Sequence, residues 1–191
     1  IVLSTFDLRP DDSGTKIIAA LYTAAERGVQ VQILIDGIYQ KLFLEKSPVF
    51  QALAAHQNIE VGIYNPVTNL MRLNYRMHDK YLIIDESMYL LGGRNTNDIF
   101  LGDKKTRINV DRDIFVYEET QGKGESLQAL EKYFDTIWNE AQVRKKKKTY
   151  AASYEEKYKS EYHQLKERYR SLKEKYPDIE NYEHWLSLIH I

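Results

Sequence analysis

His78 and Lys80 stand two residues apart, Asp85 follows Lys80 after four intervening positions, and Gly92, Gly93 and Asn95 close the same short stretch, MHDKYLIIDESMYLLGGRN. In a strand, residues two apart project from one face. An imidazole and an ammonium would therefore stand together, with Asp79 on the opposite side. The ammonium supplies fixed positive charge where negative charge develops on a phosphoryl oxygen. Imidazole has two distinct nitrogens and in general titrates near neutrality. It can attack phosphorus as a nucleophile or protonate a leaving alcohol. No metal is needed for either step.

The neighbouring residues extend this reading. Gly92 and Gly93 let backbone approach a phosphate closely, and Asn95 adds an amide donor beside them. Arg94 either pairs with a second phosphate oxygen or faces solvent. Asp85 has the opposite strand parity and falls at a turn; it is placed with the catalytic group by its spacing, and with the hairpin by its position. A carboxylate on a neighbouring strand would orient the imidazole. Asp113, which opens the run DIFVY, is the candidate, with Asp111 of the same parity as runner-up. A histidine two residues before a lysine is by itself most often a plain surface residue. The common register with Asp85, Gly92, Gly93 and Asn95 sets this one apart. His56, His163, His184 and His190 lack such surroundings and are assigned no catalytic role.

The elements that must carry these groups alternate between strand and helix. Ile1 to Leu3 is strand-like. Ser13 or Asp12 can cap a helix whose Ile17, Ile18, Leu21, Ala24 and Ala25 form one stripe, and Gly28 ends it. Val29 to Asp36 and Ile59 to Tyr64 read as strands, with a helix opened by Ser47 and Pro48 between them. Asn65 to Tyr75 is a loop. Arg76 to Ile84 is the strand of the motif, turned by Asp85 to Ser87 and returned by Met88 to Leu91. Asp113 to Tyr117 is a further strand, and Ser126 to Asn139 an amphipathic helix. Together these predict an α/β fold with a mixed, mostly parallel sheet flanked by helices, and a C-terminal helical extension.

Composition bounds the rest. The 191 residues suffice for one domain with a real core. There is no cysteine, which excludes disulfides, thiolate metal sites and cysteine nucleophiles. The formal net charge is −1, but it is unevenly spread. From 143 to 170 there are ten Lys and Arg against four Glu. This marks a basic appendage on an acidic body. The expected division is 1–142 for the catalytic half, 143–185 for a basic, Tyr-rich helical linker or extension, and 186–191 for a tail. That tail, LSLIHI, is similar to a translated sequencing adapter and is set apart from the fold. With no initiating Met, the chain reads as a piece of a longer protein.

The stretch from Met77 to Asn95 follows the pattern H-x-K-x-x-x-x-D-x-x-x-x-x-x-G-G-x-N and resembles the signature of the phospholipase D superfamily. The likeness runs over about residues 1 to 140. DDSGTKIIAALYTAAERGVQVQILIDG, NIEVGIYNP, GGRN, DRDIFVY and FDTIW are similar to bacterial cardiolipin synthase-like proteins, and specifically to the first of their two homologous halves. The resemblance implies that two such motifs build one active site. One histidine would form a phosphohistidine while the other protonates the leaving alcohol, with no cofactor or metal. Carried over, His78 and Lys80 are catalytic, Asn95 with Gly93 and Arg94 forms the phosphate site, and Asp113 orients the histidine. This chain holds one motif only. The second half would come from the parent chain or a homodimer partner, and a monomer would be nearly inactive.

Three functions are weighed. The first is a phosphatidyltransferase of cardiolipin synthase type acting on phosphatidylglycerol or a similar phospholipid, bacterial and membrane-associated in its parent. The basic, Tyr-rich segment could rest on an anionic bilayer, although a solvated linker helix is the favoured reading of it. The second is a metal-independent nuclease or phosphodiesterase. Nucleic acid is the less favoured partner, because the acidic body repels a polyanion. The third is a non-catalytic pairing half.

Overall fold

The computed structural model describes residues 1–68, 73–103, 105–106, 108–118, 124–146 and 152–181. At its centre is a seven-stranded sheet in the order β6-β5-β4-β1-β2-β3-β7. The strands are β1 (Val2–Thr5), β2 (Val31–Asp36), β3 (Ile59–Tyr64), β4 (Lys80–Ile84), β5 (Met88–Gly92), β6 (Asp113–Tyr117) and β7 (Val143–Lys145).

The sheet is mixed, but parallel pairing is confined to its middle. β1 pairs with β2 and β2 with β3 in parallel, while the other four pairs are antiparallel. This corrects the expectation of a mostly parallel sheet. β1, β2 and β3 are sheet neighbours joined through helices at Asp12–Glu26 and at Gly37–Tyr39 with Pro48–Ala55, and such helical crossovers return the chain for parallel pairing. β4 and β5 are joined by a three-residue turn, which forces a hairpin.

Helix α1 (Asp12–Glu26) begins where Asp11 accepts a hydrogen bond from Gly14 N, one residue before the caps expected from sequence. Gly28 follows its end at φ 91°, a conformation that glycine adopts without a Cβ penalty. After β2 comes α2 (Gly37–Tyr39), which runs into a π-helical turn at Gln40–Leu44. Helix α3 (Pro48–Ala55) is capped by Ser47 and started by Pro48, as the sequence predicts. Short helix α4 (Asp98–Leu101) follows the glycine pair, and α5 (Glu125–Trp138) follows β6.

Alternation along the strands divides the core. One face of the sheet presents Leu3, Ile33, Ile35, Val61 and Ile63 to Ile18, Leu21, Phe50 and Leu53 of α1 and α3. The other presents Leu34, Tyr81 and Ile83 to Leu127, Phe134 and Trp138 of α5.

The C-terminal segment departs from expectation in two ways. Val143–Lys145 is a strand paired with β3 rather than the start of a helical extension. Helices α6 (Ala152–Lys157) and α7 (Lys159–Lys175) then follow. α7 is not a solvated linker: Leu165 is fully buried in the main core, with Tyr162 and Tyr169 packed against it. Tyr162 stacks on Tyr22 with ring centroids 5.2 Å apart. Lys166 pairs with Glu26 at 2.8 Å, and Arg168 pairs with Asp12. The tyrosine stripe thus faces the protein. Tyr150, Lys147, Lys148 and the segment 186–191 lie outside the described residues.

Candidate active site

The carboxyl ends of β1, β2 and β3 lie together at one edge, at Thr5, Asp36 and Tyr64. This is where ligands bind in open α/β sheets. β4 runs antiparallel to β1 and enters at this edge, pairing Lys80 with Thr5. The motif is thereby delivered to the functional end of the sheet.

The strand begins later than the sequence suggests. Residues 76–79 are unpaired as strand, and side chains hold them instead. Asp36, fully buried at the end of β2, accepts hydrogen bonds from Ile38 N, Met77 N and Arg76 Nη1 at 2.9, 3.2 and 3.2 Å. Arg76 also donates to the Asn65 carbonyl. One carboxylate therefore fixes the chain immediately before His78. Burial raises the Asp36 pKa above its ordinary value, against the pull of those backbone donors and Arg76. Nothing near Asp36 in the sequence announces this role, since its partner lies forty residues on.

His78 is exposed and Lys80 is only 8% exposed. Lys80 Nζ donates to His78 Nδ1 at 2.9 Å and to the His78 carbonyl at 2.7 Å. The two groups expected to act together do meet. Because an ammonium can only donate, Nδ1 is the acceptor here and the proton of a neutral ring sits on Nε2. Burial lowers the Lys80 pKa, and Asp79, Asp111 and Asp7 partly restore it. Phe6 backs the pair, with its ring 4.5 Å from the His78 ring and 5.2 Å from Lys80 Nζ. Tyr39 packs on the edge of Phe6. Asp79 points the other way and accepts from Tyr133 of α5 at 2.9 Å.

The glycine pair and Asn95 are held by the extension of β1. Thr96 pairs with Leu8, its N–H donates to the Asp7 carbonyl, and its hydroxyl meets that of Thr5 at 2.8 Å. Asn97 donates to the same Asp7 carbonyl. Asn95 is buried, and its side-chain oxygen has no hydrogen-bond partner among the described residues. A Cβ on Gly92 would meet the Asp113 side chain and the Arg112 backbone, and one on Gly93 the Asp111 carboxylate. The glycines are required by these two aspartates as much as by any ligand.

The aspartates of the motif region are engaged as follows. The carboxylate of Asp113, the expected orienting group, lies 3.4 Å from Arg94 Nε and accepts from Arg94 N. Asp111 accepts from Arg112 N, and its carbonyl takes Arg94 Nε at 3.0 Å. Neither aspartate has a hydrogen bond to His78 among those described. Asp85 sits at the far end of β4, in the turn, at φ 50°. Aspartate tolerates that left-handed conformation better than most residues. Asp85 thus shapes the hairpin and stands away from His78. Arg94, left open between phosphate and solvent, is half-exposed and tied to Asp113.

A family described as cardiolipin synthase, PLD-like domain, matches residues 1–138. A cardiolipin synthase of Clostridium perfringens (strain SM101 / Type A) is 33% identical over 141 residues, covering 74% of this chain and 28% of that protein. Cardiolipin synthase C of Escherichia coli (strain K12) is 33% identical over 119 residues, covering 54% of this chain and 24% of that protein. The chain thus spans about a quarter of the length of these relatives. Among solved structures, NucT from Helicobacter pylori superposes with a TM-score of 0.52 at 18% identity, covering 74% of this chain and 80% of that one. That likeness supports the fold. By its sequence match over most of its length, the chain belongs to the cardiolipin synthase family of phospholipase D-like domains.

Proposed function

We propose that this chain is the first motif-bearing half of a bacterial phospholipid phosphatidyltransferase of cardiolipin synthase type. The observation that carries the reading is the His78–Lys80 pair, 2.9 Å apart at the carboxyl edge of the sheet, in a chain whose relatives are named cardiolipin synthases. A phosphate entering the site draws the Lys80 ammonium onto its oxygens and releases the imidazole. A ring nitrogen of His78 then attacks phosphorus. The bond from phosphorus to the leaving alcohol breaks, and the departing oxygen takes a proton from the histidine of the second half. A second alcohol gives its proton back to that histidine, attacks phosphorus, and frees His78. In the reverse assignment His78 is the acid, which requires the doubly protonated imidazolium in place of the neutral ring that accepts from Lys80. Either way the reaction is a phosphatidyl exchange with conserved charge and protons.

Half-enzyme status has its own support. The β6 edge and the chain leading into it expose Ile108, Val110, Ile114 and Phe115 beside the site, which is apolar surface suited to a partner. No helix among the described residues is long and apolar enough to cross a membrane. Membrane association of the parent would then come from other segments or from its surface.

The test supplies the chain with a second motif-bearing half and phosphatidylglycerol vesicles. Labelled lipid trapped on His78, lost in His78→Ala with normal folding, is the expected result. Plasmid nicking in chelator without lipid transfer would instead favour the nuclease reading. Turnover by a strictly monomeric sample of this chain would refute the half-site.

A further inference from the structure

Phosphate chemistry at His78 and Lys80 leaves unexplained an apolar slot that opens beside them. A cavity of about 230 Å3 lies between the α1-facing side of the sheet and α1 itself. Its floor is Leu82 and Leu90, its wall Ile17 and Ala20, and Lys80 and Arg94 stand at one end. Strand register explains the arrangement. Thr5, Lys80, Gly92 and Asp113 form one row across this face; Leu3, Leu82, Leu90 and Phe115 form the next. Residues two apart on a strand are separated by roughly 7 Å. A ligand with its phosphate over the first row therefore meets leucines one pleat further on.

That pattern selects an amphiphile: an anion held by cations, joined through a short spacer to an apolar chain. The volume narrows the choice. It exceeds the roughly 150 Å3 of an apolar cavity that takes up benzene, and falls below the roughly 300 Å3 at which drug-sized sites begin. One length of alkyl chain fits such a slot. The sugar flanking a nucleic-acid phosphodiester would place hydroxyl and ether oxygens against leucines that cannot hydrogen-bond them.

We propose that the slot between α1 and the Leu82–Leu90 floor binds the first methylenes of one acyl chain of the phospholipid donor, the glycerol unit spanning the pleat from the phosphate at Lys80. This rests on the phosphatidyltransferase reading. The slot contributes affinity for the acylated donor and sets its depth, while the phosphate groups do the chemistry. Leu90 is 37% exposed, so a chain lying across it removes apolar surface from water.

The experiment uses the full chain with methyl-labelled Leu, Ile and Ala, followed by NMR. The probes are dihexanoyl-phosphatidylglycerol below its micelle concentration and its deacylated counterpart, glycerophosphoglycerol. The expected result is that the acylated probe shifts the methyls of Leu82, Leu90 and Ala20 and binds at least about tenfold tighter. Leu90→Trp, which fills the slot from its exposed rim, should abolish that gain and leave glycerophosphoglycerol binding unchanged. Ala20→Leu repeats the test from the opposite wall should the first variant misfold. Equal affinity of the two probes, or a gain that survives both fillings, overturns the slot. So does a second copy of the chain covering Leu90 in the absence of ligand. If neither probe binds while a short oligonucleotide perturbs His78 and Lys80, the phosphatidyltransferase reading itself fails.

Discussion

Lys80 sits in surroundings that its charge does not favour. The residue is only 8% exposed, and its hydrogen-bond partners are the imidazole and carbonyl of His78, neither of which is an anion. A charge kept under these conditions costs the fold stability. Lys80→Met should therefore raise stability by about 1 kcal/mol while abolishing turnover, as read by urea denaturation. The pH dependence has a definite sign. Burial depresses the Lys80 pKa below 10.5, so the wild-type deficit is fully present where the lysine is charged in both states. It shrinks as pH rises towards the unfolded value. The gap between variant and wild type should thus be wider at pH 7 than at pH 10; a constant gap would mean the gain came from packing alone. Asp36 makes the complementary case as a positioning residue. Asp36→Asn removes the fully buried charge that Arg76 and Met77 N share and should cost about 3 kcal/mol. Adding Arg76→Met should recover more than half of that loss. The His78 ring resonances should stay displaced in the double variant, because Met77 N has lost its charged acceptor. Resonances that return with stability would make Asp36 merely structural.

Elements decide which of these groups could be read in advance. The pair at His78 and Lys80 was legible because its spacing survives folding: Nζ does reach the ring. Strands β3 and β6, helix α3 and the inward face of α5 were legible because their apolar periodicity is strong and their ends carry caps or turn residues. Residues 76–79 look like strand by composition, yet Asp36 claims their backbone from across the sheet, and β4 starts only at Lys80. Outside the β4–β5 hairpin, where the turn fixes it, the direction of pairing was not legible, since apolar content says that a strand is buried and not which way its neighbour runs. In α7, a face that is Tyr-rich rather than strongly apolar suggested a solvated helix, but Leu165 enters the core with Tyr162 and Tyr169 packed against it. The glycine pair offers a test at this scale. A Cβ on Gly92 would lie 2.7 Å from the Arg112 carbonyl and from Asp113 Cα. Because backbone must move to admit it, Gly92→Ala should cost about 1–3 kcal/mol. On Gly93 the atoms nearest the Cβ belong to the Asp111 side chain, which can rotate, so Gly93→Ala should cost less. Equal losses in urea denaturation would place the strain elsewhere.

At the scale of the molecule, the sheet is finished on one side and unfinished on the other. β7 closes the β3 edge and both faces of the central strands are covered by helices. β6, at the opposite edge, leaves Ile114 65% and Phe115 45% exposed, one on each face of the sheet. An edge strand with apolar residues exposed on both faces invites pairing, and this one lies one strand away from the motif strand β4. On the half-enzyme reading, that edge meets the second motif-bearing half and brings the second histidine opposite His78. Ile114→Glu should then leave stability within about 0.5 kcal/mol, as for an ordinary surface change, because the residue packs against little in the single chain. It should also weaken assembly with the second half, or with another copy, by at least about tenfold, since a buried unpaired carboxylate at an interface costs several kcal/mol. Sedimentation measures the assembly, and phosphatidyl transfer measured in parallel should fall with it at fixed concentration and return when protein concentration is raised. Transfer that is lost at every concentration would assign Ile114 to the site rather than to the interface. An assembly indifferent to Ile114→Glu would move the partner away from β6.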